Sequence, residues 1–345
     1  MASSLKRKPI SIADVASRAG VSKTTVSHVV SGRRPVSRGA ADRVRKAMDE
    51  LHYVPNHFAA GLRSGRTRTL SLIVPDISNY FFAQLAKGVE DVADAAGYTV
   101  LLCNTDFQPQ REDRYLQLIP ARAVDGLIYA AGAPPDSTLL TRLSATVPLV
   151  LVDEELPSMS ASTVTSDNTT GGLLVGRHLI ELGHRQVLYL GGPERLATTQ
   201  LRLAGFRQAY DPVENASVMV RYGDYREDTA YAEMRAVLAA SGRSVTAVFA
   251  GNDLMAIGIV RALRECGLRI PEDVAIVGYD DIPLATHHQP QLTTVKQPVY
   301  RMGRMAAHQL LLAIKETPGA VTGQRTVLPV ELLVRASTRS EATRQ

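Results

Sequence analysis

Eight short apolar runs divide most of this chain and limit what it can fold into. LSLIV (70–74), TVLLC (99–103), GLIYA (126–130) and PLVLV (148–152) form one series. VLYL (187–190), SVMV (217–220), TAVFA (246–250) and VAIVG (274–278) form a second. Runs this short and apolar throughout suit strands buried on both faces of a parallel sheet. Between the first two, Phe82, Leu85, Ala86, Val89, Val92, Ala93 and Ala96 recur at helical spacing until Gly97 stops them. Strand and helix alternating through two series predict two doubly wound α/β lobes with a cleft between them.

The first 68 residues follow another rule. They carry 14 Lys and Arg against 4 Asp and Glu, whereas the remainder carries 25 against 30, so the net charge of +5 conceals a basic head on an acidic body. Such a head is suited to meeting a polyanion. It is also periodic, which a solvated basic tail would not be. Ser11 precedes Ile12, Val15, Ala16 and Ala19 on one helical face, with Asp14 placed to complete a capping box. Gly20 suits the left-handed end of that helix, and Ser22 caps a second helix reaching about Ser31-Gly32. A third follows Ser37 with Val44, Ala47, Met48 and Leu51 as its stripe, leaving Arg18, Arg33, Arg34, Arg38, Arg43 and Lys46 outside for phosphates. Two short helices around a tight glycine turn predict a helix-turn-helix.

The second helix contains VSKTTVSHVV (21–30). Val26, Val29, Val30 and Thr25 fall on one side; Lys23, Thr24, Ser27 and His28 fall on the other. An outer face of short hydroxyls with one Lys and one His allows close approach to base edges in a major groove. A plain Ser/Thr-rich surface helix is the bland alternative, and the bihelical spacing, basic flanks and end signals weigh against it. After Pro55, Asn56 can cap a short helix to about Arg63, made marginal by Gly61 and Gly65. Leu62 on that helix is either a wedge between base steps or an ordinary domain contact.

Together these stretches resemble the lactose-repressor (LacI/GalR) family of bacterial transcription regulators over nearly the whole chain. The resemblance is carried by SIADVASRAGVSKTTVSHVVSG, VRKAMDELHYVPNHFAAGLRSGRT, LSLIVPDISNYFF, VDGLIYA, ELGHR, LRLAGF, FAGNDLMAIG, VAIVGYDD and LTTVKQP. The head is similar to the purine-repressor branch. The resemblance implies that Lys23, Thr24 and His28 face bases, that Arg34 supports them, and that Leu62 of two protomers wedges the centre of a palindromic double-stranded operator. Ser22, Thr25, Ser27 and Asn56 are expected to join this DNA-binding set. The implied organisation is an all-α head (9–54), a hinge (55–68) and a periplasmic-binding-protein-like body (69–340). The N-lobe would comprise about 69–166 and 297–325, and the C-lobe about 167–296 and 326–340, with the chain crossing near 166, 296 and 326.

Ligands of open parallel sheets bind beyond the carboxyl ends of strands. The residues found there include Asp76, Asn104 to Asp106, Asp153, Asp224, Asn252-Asp253 and Tyr279-Asp280. The resemblance marks Phe81, Phe82, Arg202, Tyr225, Asn252 and Asp280 as effector contacts, with Arg202 and Asp280 leading. Phe82 could equally be core, and Asn252 and Asp253 could cap the following helix. This mix of planar faces and forked polar groups suits a sugar or a nucleobase. Leu196 stands where the purine-binding branch has Arg, which favours a sugar-like effector over the alternative of a purine- or nucleoside-responsive corepressed regulator.

An enzyme is not expected. The chain lacks G-x-x-x-x-G-K-[ST], G-x-S-x-G and H-E-x-x-H, and adjacent His287-His288 lack metal-ligand spacing, so neither cofactor nor metal is expected. A sugar-binding or sugar-processing protein without a DNA role would share the body and lack the head. No apolar run approaches a membrane span, MASSLKRKPI is not followed by a signal-peptide core, and Cys103 and Cys266 show no disulfide framework. A cytoplasmic regulator is expected, and the absence of terminal leucine heptads favours a homodimer.

Overall fold

A computed structural model describes residues 10–31, 34–53, 67–119, 124–130, 137–156, 159–241, 244–316 and 323–339. Asn56, Leu62 and Arg33 lie outside these described residues. The chain divides into two compact units, 1–67 and 68–345.

Unit one packs three helices, α1 (Ile12–Ala19), α2 (Lys23–Ser31) and α3 (Arg38–Leu51). Ser11 and Asp14 make the expected box, with the Ser11 amide donating to Asp14 Oδ2 at 2.8 Å and its hydroxyl at 2.7 Å. Gly20 ends α1 at φ 62°, a conformation glycine adopts without a Cβ penalty. The core comprises Val15, Ala16, Ala19, Val26, Val44 and Ala47, closed at its margin by Val21, Val29, Val30 and Leu51. Two of the outward-facing arginines also bond within the head. Arg18 pairs with Glu50 at 2.5 Å, and Arg43 Nε donates to the Ala19 carbonyl at 3.2 Å, satisfying an end group of α1. Both are exposed, as the sequence pattern marks them, and their partners on another helix come from the packing.

Unit two contains two six-stranded sheets. The first is parallel throughout and built from β1 (Thr69–Val74), β2 (Thr99–Asn104), β3 (Gly126–Tyr129), β4 (Leu149–Val152), β5 (Ser162–Ser166) and β11 (Arg325–Leu328), in the order β11-β5-β4-β3-β1-β2. The second contains β6 (Gln186–Gly191), β7 (Ser217–Tyr222), β8 (Ala247–Ala250), β9 (Ala275–Asp280), β10 (Thr293–Lys296) and β12 (Glu331–Leu333), in the order β12-β10-β9-β8-β6-β7. Only β12 runs antiparallel to its neighbour among these described strands.

Helices cover both faces of each sheet. In the first lobe α4 (Tyr80–Ala95) and α12 (Val299–Lys315) bury one apolar layer around Leu72, Leu85, Val89 and Leu310. The other face packs Ile73, Tyr129 and Leu151 against Leu116 of α5 (Pro109–Leu118) and Leu140 of α6 (Ser137–Ser144). In the second lobe α7 (Asn168–Glu181) and α8 (Ala197–Tyr210) lie on one face. On the other lie α9 (Glu227–Ser241), α10 (Asp253–Glu265) and the short α11 (Pro283–His287). All eight apolar runs are strands, but TVLLC and SVMV are not fully buried. As β2 and β7 they take the outer edges, and Leu101 and Leu102 remain 50% and 40% exposed. Hydrophobicity alone does not separate an edge strand from a central one.

The chain passes between the sheets after β5, between β10 and α12, and between β11 and β12. The third passage therefore falls at 329–330 rather than near 326, because β11 pairs with β5 through Leu328. No helix among the described residues is long and apolar enough to cross a membrane.

Candidate functional site

In unit one, α2 presents its polar face as its sequence requires. Val26 is fully buried, and Ser22, Lys23 and Thr24 are exposed. Thr25, Ser27 and His28 are half-buried at the margins, and Arg34 is exposed beyond the helix end. Ser22 caps α2 by accepting from the Thr25 amide at 3.0 Å, and its hydroxyl meets that of Thr25 at 2.9 Å. These two hydroxyls thus set the start of the helix on which Lys23, Thr24 and His28 are carried.

In unit two, the carboxyl ends of both sheets converge on one cavity of about 410 Å³, part of it open to solvent. All six expected contacts, Phe81, Phe82, Arg202, Tyr225, Asn252 and Asp280, line it. They come from the start of α4, from α8, from the turns after β7 and β8 and from the last residue of β9. Phe81 and Phe82 meet edge to face at 5.0 Å, with α4 capped by Asn79, whose Oδ1 accepts from the Phe81 amide at 3.0 Å. Asn252 serves structure as well as lining. Its Oδ1 accepts from Met255 N at 2.8 Å, and its Nδ2 donates to the Tyr225 carbonyl at 3.1 Å. The neighbouring Asp253 turns into the lobe, accepting from Thr294 at 2.6 Å and the Ile282 amide at 2.9 Å.

Arg202 is 3% exposed, and its direct partners are neutral. Nε donates to Asn168 Oδ1 at 2.8 Å, Nη1 donates to the Gly251 carbonyl at 2.6 Å, and the guanidinium lies 3.8 Å from the centre of the Tyr279 ring. Arg202 and Asp280 do not bond each other; their charges act through space. Asp280 accepts from Gln297 Nε2 at 2.7 Å, and the Gln297 carbonyl oxygen in turn accepts from the Ser166 hydroxyl. Glu154, extending from the end of β4, accepts from the hydroxyl and amide of Thr198 at the start of α8. Asp153 Oδ1 is shielded and has no hydrogen-bond partner. Burial works against the Arg202 charge, but Tyr225, Tyr279, Asp280 and Asp153 more than offset it and keep the guanidinium protonated.

Asp153, Glu154, Leu196, Thr198, Phe107 and Gln297 also line the cavity, yet were not among the assigned contacts. Asp153 was visible as a polar residue after an apolar strand. Glu154 and Thr198 acquire meaning only when β4 and α8 meet, and Gln297 lies in LTTVKQP on the expected passage near 296, where nothing local shows that it faces the cavity. Six non-glycine residues at these strand ends have positive φ: Asp106 (54°), Phe107 (55°), Asp153 (70°), Tyr225 (65°), Asp280 (111°) and Asp281 (57°). Strained backbone gathered around one cavity is a mark of a site held in shape by its surroundings.

The carboxyls make the ligand-free body pH-sensitive. Burial pushes Asp280 up to about 7 against the pull of Arg202 and Gln297. Burial likewise raises Glu154, with Asp153 adding repulsion while Thr198 and Arg202 oppose it. A carboxyl raised in the folded state retains a proton that the unfolded chain releases near pH 4, so its contribution is present in acid and lost as pH rises through the folded value. His178, His184 and His288, lowered by burial, act in the opposite sense. The readout is therefore a difference. The stability of the parent chain relative to Asp280→Asn, measured by thermal unfolding without ligand, should decline from pH 5 to pH 8. A constant difference would contradict the raised carboxyl.

Two family models match the chain: "Bacterial regulatory proteins, lacI family" over residues 11–56 and "Periplasmic binding protein-like domain" over residues 177–338. The ribose operon repressor of Halalkalibacterium halodurans is 36% identical over 328 residues, covering 95% of this chain and 97% of that protein. The transcriptional repressor PurR of Vibrio atlanticus is 36% identical over 308 residues, covering 88% and 92%. Among solved structures, the lac repressor dimer bound to operator and the anti-inducer ONPF superposes with a TM-score of 0.83 at 29% identity, covering 96% of this chain and all of that one. A head that presents α2 and a body with a polar cavity at its strand ends thus match such relatives over most of their length, and the chain belongs to the lacI family of bacterial regulatory proteins.

Proposed function

We propose that the chain is a sequence-specific transcriptional repressor that binds a palindromic operator as a homodimer, and that a small, uncharged, hydroxyl-rich effector in the cavity sets its affinity. The observation that carries the effector class is the surplus of acceptors. Asp153, Glu154 and Asp280 face one guanidinium whose Nε and Nη1 are engaged, and Asp153 Oδ1 has no donor. A polyol supplies hydroxyl donors to such a site; a phosphorylated or carboxylated molecule adds charge of the wrong sign. Leu196 lines the cavity with an apolar wall, and the similarity to a ribose operon repressor makes an unphosphorylated pentose the first candidate.

The same contacts explain how occupancy is felt elsewhere. Asp280 at the cavity is joined through Gln297 to Ser166, and both of the latter adjoin passages between the lobes. A ligand that draws on Asp280 changes the bonds at these passages, which is the differential contact between states that control requires.

Selection from a randomised duplex pool by the purified chain should return an inverted repeat. Thermal unfolding with D-ribose, hexoses, ribonucleosides, ribose 5-phosphate and gluconate should show stabilisation by an uncharged sugar, about 2.7 kcal/mol at 100 times its Kd. That sugar should change operator affinity about 5–150-fold. Asp280→Asn should retain operator binding and lose this response. Stabilisation by the anions alone would overturn the effector class, and stabilisation by nucleosides alone would replace it with a purine-type ligand.

A further inference from the structure

We propose that Asp106, Phe107 and Arg226 form a clasp across the rim of the cavity, and that opening of this clasp sets how readily a small solute reaches Arg202. The inference deepens the effector reading by assigning control of entry to the same cavity, and it does not depend on which molecule occupies it.

The clasp joins the two lobes. Asp106 and Phe107 lie in the turn between β2 and α5, whereas Arg226 precedes α9 and follows the cavity residue Tyr225. Arg226 Nη2 donates to Asp106 Oδ1 at 3.0 Å and approaches the Asp106 carbonyl at 3.5 Å. Its guanidinium lies 5.7 Å from the centre of the Phe107 ring, and that ring lines the cavity. One cation thus grips a carboxylate, a carbonyl and an aromatic face on the opposite lobe, and the aromatic face is part of the cavity wall.

The turn is held in readiness for this contact. Asp106 and Phe107 both adopt left-handed backbone conformations, which cost energy for side chains of their size. On the near side, Gln108 Nε2 donates to Asp106 Oδ2 at 3.0 Å, Arg111 lies 3.8 Å from the same oxygen, and the Gln108 amide closes the turn on the Thr105 carbonyl at 3.0 Å. On the far side, the Arg226 amide donates to Asp224 Oδ1 at 3.1 Å, fixing the arginine at the start of its helix. Both ends are therefore braced within their own lobe.

The strength of the clasp suits a gate rather than a lock. The Arg226 and Asp106 side chains remain 48% and 38% exposed, and an ion pair so placed shifts an equilibrium only about 1.5- to 5-fold. The interior Glu154–Thr198 contact is by contrast buried, so it can persist as a pivot while the rim opens and closes.

The chain contains no tryptophan, so Phe107→Trp places a single fluorophore in the clasp. Quenching by acrylamide, itself a small neutral solute, then reports entry without any effector or operator. Adding Asp106→Asn or Arg226→Gln should raise the quenching constant about 2- to 5-fold. The paired reversal Asp106→Arg with Arg226→Asp should bring it back toward the starting value. In 1 M salt, where screening acts within about 3 Å, the unsubstituted pair should approach the single variants. A constant that is the same in all backgrounds, or a reversed pair as accessible as the singles, overturns the clasp. If Phe107→Trp does not fold, hydrogen exchange of amides 105–108 in the parent, Asp106→Asn and Arg226→Gln chains reads the same opening. Equal rates there would also overturn it. Failure to select a DNA sequence would leave this result standing, and its failure would leave the repressor reading intact.

Discussion

Arg202→Met is expected to abolish the effector response and to destabilise the body by about 3–5 kcal/mol at pH 8, the usual cost of removing one side of a buried charged cluster. Methionine fills much of the same volume, so the loss is electrostatic rather than a cavity effect. Without the guanidinium, Asp153, Glu154 and Asp280 retain burial and mutual repulsion but lose the cation that opposes both. Asn168 and the Gly251 carbonyl lose their donor, and the Tyr279 ring loses the cation stacked on it. The carboxyls can escape by taking up protons, so the destabilisation should shrink at pH 5. Denaturant unfolding at the two pH values checks this. An equal loss at both would mean that Arg202 acts by packing alone.

Gly172→Leu is expected to cost about 3 kcal/mol, roughly 6–12 °C in Tm for a body of this size, and to remove the effector response as well. A Cβ at Gly172 would overlap the Arg202 carbonyl, and one at Gly205 would overlap the Thr169 carbonyl, so α7 and α8 cross with backbones in contact. Only glycine permits that approach. A side chain at 172 must push α8 away, and α8 carries both Arg202 and Thr198 into the cavity. Thermal unfolding and the effector-dependent operator shift test the two halves of this prediction. A normal Tm with a normal response would show that the helices can separate without cost.

The glycines of α7 illustrate what sequence reading missed. ELGHR and LRLAGF were informative as motifs, whereas TTGGLLVGRH, which sets the helix crossing, offered no pattern that names its partner. The strand that follows β4, β5, was missed for a related reason. STVTS is polar by composition yet all five residues are buried, because the sheet and nearby acceptors satisfy the hydroxyls, as where Thr165 donates to the Asp153 carbonyl at 3.0 Å. An apolar-run criterion passes over such a strand. Gln297, buried just after β10, stood in the motif LTTVKQP, but its bonds to both Ser166 and Asp280 join distant segments and could not be read from it.

Elements whose signals are local could be read from the residues alone. The caps at Ser11 and Ser22, the left-handed turn at Gly20, the polar face of α2 and the eight strands each depend on residues within a few positions of one another. Family motifs extended this to the six cavity residues, Phe81, Phe82, Arg202, Tyr225, Asn252 and Asp280. Tertiary structure alone decided their wiring: Arg202 bonded to neutral partners, Asp280 tied to the lobe passages, Glu154 set against Thr198, and Arg226 laid over Phe107. These contacts join residues that are 17 to 131 positions apart. Periodicity carries no information over such separations; the contacts form only once the two sheets bring their strand ends face to face.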